Sequence, residues 1–466
     1  MRKTKLSLLV AAQLLAACTV GPDYRRPEFF ADGALQRVLI TNPNATESVS
    51  RRWYEIFDDP NLNCLIEQAL AQNTDVKVAL QRLREARFML FSNEAQFLPN
   101  LDAAGGYTYS YLSNGKNRPR LTEDYYKAGL DASWEIDIWG GGRRLNESSR
   151  ALLQASADNL AAVRLSLTAE VAGDYMQLRN LQYQWQIADE NLQLQQEIFA
   201  TVRQKYEAGL ADETALNQAQ YAVEGTKALL PQLEQQMEVY HNALALLLGV
   251  LPDEIAGTEA PEDNPMARRF YFDFNHLYDF PLSVVRNRPD VRAAESNLVA
   301  KNAAIGQAVA AMFPSVSLGA TLGWQTDNFS QLGSSGHAAY GYAPNANLPL
   351  FNFGRLYHQV QAAEAVKEQY LYMYKNALLT AVQDIKNSVT AVKKEYQRNL
   401  SLQKSAENMQ QVVELMSEQY RQGLIEFSDL LASEQNLLAA ENKLAVSNGA
   451  IYQNIIAFYK SIGGGY

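Results

Sequence analysis

The sequence predicts a mixed α and β chain built from one unit written twice, each copy joining two β-strands to a long α-helical hairpin. Three features carry this: an internal repeat at nearly constant offset, four segments of two-residue alternation, and two Pro-free, nearly Gly-free stretches that outrun any globular helix.

Laid side by side, the halves coincide. Asp75-Val76 falls on Asp290-Val291 and Pro99 on Pro314 at an offset of 215, while Gly140 falls on Gly354, Tyr206 on Tyr420, Gly209 on Gly423 and Leu248-Gly249 on Ile462-Gly463 at an offset of 214. One single-residue slip reconciles the two sets. The expected organisation is a signal peptide over residues 1–17, a lipid-anchored N-terminal segment over 18–59, a first repeat over 60–249, a linker over 250–274 and a second repeat over 275–466.

At the N-terminus, Arg2, Lys3 and Lys5 precede an apolar stretch from Leu6 to Ala17 that is too short to stay in a membrane and reads as a signal peptide. Leu15-Ala16-Ala17-Cys18 resembles a bacterial lipobox, in which cleavage leaves Cys18 first and acylated on sulfur and amino group. More than one acyl chain is what stable anchoring requires. In that pattern Thr19, rather than Asp, implies delivery to the outer membrane. Cys64 is then left without an intrachain partner, and its apolar helical surroundings predict a small core residue.

In each copy an amphipathic helical segment comes next, about Pro60 to Leu98 and Asn275 to Phe313, and stops at a Pro. Alternating segments follow. Leu101, Ala103, Tyr107, Tyr109 and Tyr111 share one face, and from Tyr126 the residues Ala128, Leu130, Ala132, Trp134, Ile136 and Ile138 oppose Lys127, Asp131, Ser133, Glu135 and Asp137. The second copy sets Val316, Leu318, Ala320, Leu322 and Trp324 against Ser315, Ser317, Gly319, Thr321 and Gln325, then continues through Tyr340, Tyr342, Ala346, Leu348 and Leu350. Such strands suit a membrane barrel with lipid on one face and water on the other, and equally a soluble sandwich; the address at Cys18 favours the membrane. Pro344 and Pro349 argue for an edge, a bulge or a strand end in the last segment. Four strands cannot close a barrel with a lumen, which needs about eight. Two chains would supply eight and three chains twelve, and strand arithmetic leaves both open.

From Arg355 to Gln422 there are 68 residues without Gly or Pro, and from Arg143 to Ala208 there are 66 whose only such residue is Gly173. At 1.5 Å per residue each predicts a helix of roughly 100 Å. Val382, Ile385, Val389, Val392 and Tyr396 step by three and four, the spacing of a coiled-coil seam. Each long helix turns at a Gly, Gly209 or Gly423, and returns to Gly249 or Gly463, with Pro231 expected to kink the first return.

Composition excludes several chemistries. A formal charge of -10, with no long basic run, argues against nucleic acid. Four scattered His and two Cys supply no metal-ligand spacing, so no metal and no cofactor beyond the covalent lipid is expected. Gly140-Gly141-Gly142-Arg143-Arg144 lacks the Lys-Ser/Thr ending of a phosphate loop and sits at a strand-to-helix corner, so it reads as a bend and the chain as no enzyme.

Thr19-Val20-Gly21-Pro22-Asp23-Tyr24, Trp53-Tyr54-Glu55-Ile56-Phe57-Asp58-Asp59-Pro60-Asn61-Leu62, Arg288-Pro289-Asp290-Val291, Phe313-Pro314-Ser315, Leu348-Pro349-Leu350-Phe351 and Gly463-Gly464-Gly465 occur in an order and spacing that resembles the outer membrane factor family, the TolC- and OprM-like, NodT-type efflux lipoproteins. The likeness runs from Cys18 to the C-terminus. It implies a homotrimer, a trimeric 12-stranded outer-membrane β-barrel continuous with a periplasmic α-helical coiled-coil barrel, and docking to a periplasmic adaptor (membrane fusion) protein and an inner-membrane transporter. The implied function is an exit duct for small molecules such as drugs.

The resemblance also implies a periplasmic gate at the helix turns. Tyr420, Arg421, Gly423 and Asp429 match the family's pattern, whereas its second acid, three residues beyond Asp429, is replaced by Ala432, leaving Glu426 and Glu434 nearby. In the first copy Tyr206 and Gly209 match, Glu207 replaces the Arg, and the acids fall at Asp212 and Glu213. Gly209, Leu210, Gly423 and Leu424 are expected to form the tips and the adaptor-docking surface. The rival reading is a non-conducting structural coiled-coil lipoprotein. Cargo is not legible, although the lack of Met or His clusters weighs against a dedicated copper or silver route.

Overall fold

The computed structural model describes residues 19–30, 39, 52–112, 121–261, 263–267, 272, 277 and 283–464. The signal peptide, Cys18 and the loop bearing Lys116, Arg118 and Arg120 lie outside the described residues. The helices and strands run α1 (Pro60–Gln72), α2 (Thr74–Ala95), β1 (Asn100–Leu112), β2 (Leu121–Ile136), α3 (Gly141–Glu207) and α4 (Glu213–Leu248), then α5 (Ser283–Asn287), α6 (Pro289–Ala310), β3 (Ser315–Thr326), β4 (Ala338–Asn347), α7 (Arg355–Arg421) and α8 (Phe427–Ser461). The second series repeats the first, and α3 and α7 each have 67 residues. No described helix is long and apolar enough to cross a membrane.

The expected single helices before the strands are each broken. Asn73 ends α1 and its carboxamide oxygen accepts from the Asp75 and Val76 N–H groups at 2.8 and 3.1 Å, restarting the chain as α2. At the corresponding place Pro289 opens α6 after the five-residue α5. In α1 the buried face is Leu62, Leu65, Ile66 and Ala69; Cys64 lies on the other side and is exposed, which corrects its expected core placement.

The chain divides into two compact units. The first comprises the described parts of Met1–Pro27, Gln81–Asp158 and Ala293–Asn376. It contains one antiparallel sheet in the order β1-β2-β3-β4. The register sets Leu130 opposite Ala103 and Leu322, and Trp134 opposite Leu318, so these apolar residues share a face; Asp131 lies opposite Asp102 and Thr321 on the other. Strand β2 begins at Leu121, ahead of the predicted Tyr126, and β4 ends at Asn347, before Leu348 and Leu350. Pro344 does lie within β4, opposite Leu318, and is tolerated because β4 is an edge strand.

At the corner after β2, Asp137 accepts hydrogen bonds from the Gly142 and Arg143 N–H groups at 3.1 and 3.0 Å. The glycine run therefore opens α3 with two of its free donors already taken by a carboxylate. Beside it, Arg144 is buried and donates to the Val20 and Gly21 carbonyls, both at 3.2 Å, and to Asp23 at 2.8 Å. Asn302 holds the Pro22 carbonyl at 2.9 Å, and Glu295 accepts from Tyr24 at 3.1 Å and Arg26 at 2.6 Å. Gly21 crosses so close to α6 that an added Cβ would lie 2.3 Å from the Gly306 Cα. This contact explains the glycine of the Val20-Gly21-Pro22 motif.

The second unit comprises the described parts of Glu28–Leu80, Asn159–Arg292 and Ala377–Tyr466. Trp53 stacks on Tyr459 with centroids 5.5 Å apart, and Phe57 meets Tyr452 at 5.6 Å. Asp59 caps α1 and accepts from the Tyr175 hydroxyl at 2.7 Å. Arg288 is bound to Asp290 at 2.7 Å, Asp384 at 3.1 Å and the Ser461 carbonyl at 3.0 Å, so the Arg-Pro-Asp-Val motif ties α6 to both α7 and α8.

Along α7 the buried seam is Ala381, Ile385, Ser388, Val392, Asn399, Ala406 and Val413, a heptad spacing. Ile385 and Val392 lie on it as the sequence predicts; Val382, Val389 and Tyr396 are half-buried flanking residues instead. The seam includes polar side chains because they are paired. Ser388 meets the Ser461 hydroxyl at 3.0 Å, and Asn399 donates to Asn448 at 2.7 Å.

Candidate functional site at the helix turns

The turns after α3 and α7 close with one hydrogen-bond pattern. The Gly209 N–H donates to the Tyr206 carbonyl at 2.9 Å and the Leu210 N–H to the Lys205 carbonyl at 2.8 Å; Gly423 donates to Tyr420 at 3.1 Å and Leu424 to Gln419 at 2.9 Å. This pair of bonds ends a helix only if the glycine position is left-handed, and φ is +72° at Gly209 and +73° at Gly423. Both turns leave a leucine in solvent, Leu210 at 79% and Leu424 at 69% exposure.

A compact core lies behind the turns. Val202 of α3, Ala219 and Ala222 of α4, and Phe427 and Leu431 of α8 are buried together, with Ile198, Phe199, Ala215 and Tyr420 packed around them. Tyr420 is thus half-buried: its ring meets Phe427 at 5.8 Å, and the Lys205 Nζ stands 4.0 Å from its centroid. The structure brings Tyr420 to the core of both hairpins, which its place before a turn glycine did not reveal.

The charged candidates lie outside this core. Arg421 is exposed and reaches Glu418 of its own helix at 4.0 Å, so it does not pair with Asp429 within the chain. Asp429, in the first turn of α8, is exposed. Glu426 occupies the N-cap of α8 without a side-chain capping bond. In the first copy Asp212 is committed as a cap, accepting from the Ala215 N–H at 2.8 Å, and Glu207 pairs with Arg203 at 3.0 Å. Glu434, the remaining acid near the second turn, is only 2% exposed, and burial pushes its carboxyl up to about 7. Among the described residues no cluster of three or more His, Cys, Asp or Glu could hold a metal.

A family model described as outer membrane efflux protein matches residues 65–250 and 282–464. The chain is 28% identical over 477 residues to the probable outer membrane lipoprotein SilC of Salmonella typhimurium, with all of both chains covered. It is 27% identical over 477 residues to the toluene efflux pump outer membrane protein TtgC of Pseudomonas putida, covering 100% of this chain and 96% of that one. The solved structure of the outer-membrane channel OprN superposes with a TM-score of 0.86 at 32% identity, over 96% of this chain and 99% of that one.

Proposed function

The chain belongs to the outer membrane efflux protein family, and we propose that three copies of it assemble an exit duct, the outer-membrane member of a tripartite pump. The observation that carries this is the sheet. Its four strands pair in sequence order, leave β1 and β4 each with one unpartnered edge, and sort apolar from polar side chains onto opposite faces. Such a sheet leaves its backbone groups unsatisfied in lipid until other copies continue it. Three copies give twelve strands, the number the family resemblance implies.

In this reading Cys18 carries the lipid anchor. The support is local: the chain from Val20 to Arg26 is fastened to the strand-to-helix corner by Arg144 and to α6 by Asn302 and Glu295. The turns form the periplasmic gate, with Arg421 free to pair with a carboxylate of an adjacent copy and three Asp429 carboxylates around the axis favouring cations. Leu210 and Leu424 offer the apolar contact for a periplasmic adaptor, which links the duct to an inner-membrane transporter. The cargo is a small molecule selected upstream of this chain; toluene, after which one relative is named, belongs to that class.

Single-channel recording on the acylated, purified oligomer in a planar bilayer tests the reading. The expected result is a small cation-selective conductance that rises several-fold in Asp429→Ala. Silence in both proteins, from a verified inserted oligomer, would overturn the duct and leave a structural lipoprotein.

A further inference from the structure

Between α3 and α8, about one turn beyond the core of the tips, is a cavity of about 270 Å3. Its polar lining comes from Tyr183, Gln186, Glu190 and Asn191 of α3 and from Glu434 and Glu441 of α8, and it includes no Lys or Arg. Glu434 differs from its neighbours. Both of its carboxylate oxygens are buried and neither has a hydrogen-bond partner.

The donors nearby are already used. Asn191 donates to Glu441 at 3.3 Å and Gln186 to Glu190 at 2.9 Å. On the adjoining residue, Ser433, the approach of α7 is through the uncharged Met416 sulfur at 3.4 Å. Thus the titratable groups facing the cavity are Tyr183 and Glu190 from α3 and Glu441 from α8, all acids, and Glu441 is itself pushed up by burial and by the Glu190 charge. An ionised Glu434 would be a buried charge without a counterion or a donor, whereas a protonated one is a neutral side chain of tolerable cost.

We propose that Glu434 is a proton-binding site controlling the seam between α3 and α8: protonated, it packs as a neutral residue, and ionised, it draws water into the adjoining cavity and parts the two helices. The sign follows from its raised carboxyl. The folded chain holds this proton more tightly than the unfolded one, so the stabilisation is complete below about 4.5 and is lost as pH rises through about 7. The inference concerns the seam itself and does not depend on conduction through the turns.

Hydrogen–deuterium exchange of the full-length oligomer in detergent tests it, at about pH 6 and about pH 8 with intrinsic rates corrected. In the wild type, amides of residues 183–194 and 434–444 should lose about tenfold protection at the higher pH. Glu434→Gln should hold the same protection at both pH values, and Glu441→Gln should retain the wild-type loss. A wild type indifferent to pH, or a Glu434→Gln protein that still loses protection, overturns the proposal. Should Glu434→Gln not fold, the infrared carbonyl band of a protonated carboxylic acid in the wild type decides: it should be present at the lower pH and vanish at the higher, and its absence at the lower pH overturns the assignment.

Discussion

The turn after α3 and the turn after α7 have the same backbone and different acids. In both, a left-handed glycine lets two N–H groups reach back to carbonyls three and five residues earlier. After the first turn Asp212 is spent on capping α4; after the second, Glu426 occupies the equivalent position without a capping bond, and Asp429 stands exposed. A duplicated unit has thus kept the bend and an exposed acid in the first turn of each return helix, Glu213 and Asp429, while the acid at the cap position is bonded in the first copy and unbonded in the second. The asymmetry teaches which acids are available to a neighbouring chain and which are already committed to the fold.

The two turns also share one core, so the largest effect should come from removing its aromatic member. Phe427→Ala should cost about 3–5 kcal/mol in denaturant unfolding, and should speed amide exchange around Val202 of the first hairpin as well as around its own helix. Loosening confined to the second hairpin would break the claim of a common core. Next, Gly209→Ala and Gly423→Ala should each destabilise by about 1–2 kcal/mol, since neither glycine has a neighbour within 4 Å and only the left-handed backbone matters. Clearly unequal losses in thermal unfolding would show that the turns are not equivalent.

The difference in capping predicts a smaller, one-sided effect. Asp212→Ala should lose about 1 kcal/mol, whereas Glu426→Ala should be nearly silent; Glu426→Asp, with a carboxylate short enough to cap, should gain a comparable amount in the same melting experiment. The smallest effect belongs to the link between hairpins. Lys205→Met should cost about 0.5–1 kcal/mol through loss of the cation over Tyr420, and a Tyr420→Leu background should abolish that cost in a double-mutant cycle.

Much of this architecture was legible because it rests on periodicity. Alternation located all four strands, and the absence of Gly and Pro located both long helices. Periodicity failed where polar residues were satisfied inside. The α7 seam kept Ile385 and Val392 but not Val389 or Tyr396, because Ser388 and Asn399, discounted as polar, are buried through partners on α8. Strand β2 began earlier than expected because Glu123 and Asp124 put acids on both faces of its first residues, hiding the alternation. At the turns, the glycines and exposed leucines follow from local sequence. The Tyr420–Lys205 contact, the commitment of Asp212 and the isolation of Glu434 do not, since each depends on which segment packs opposite.

The edges of the sheet bear on how such a chain survives before it reaches its destination. A newly secreted copy carries, on β1 and β4, two rows of backbone donors and acceptors that will pair with any extended segment they meet, and an apolar face that water does not tolerate. Pro344, which has no N–H to give, lies within β4, the kind of residue that edge strands carry to blunt indiscriminate pairing. Quality control of this protein in transit is therefore a race between correct subunit encounter, which depends on concentration, and aggregation through the same exposed strands.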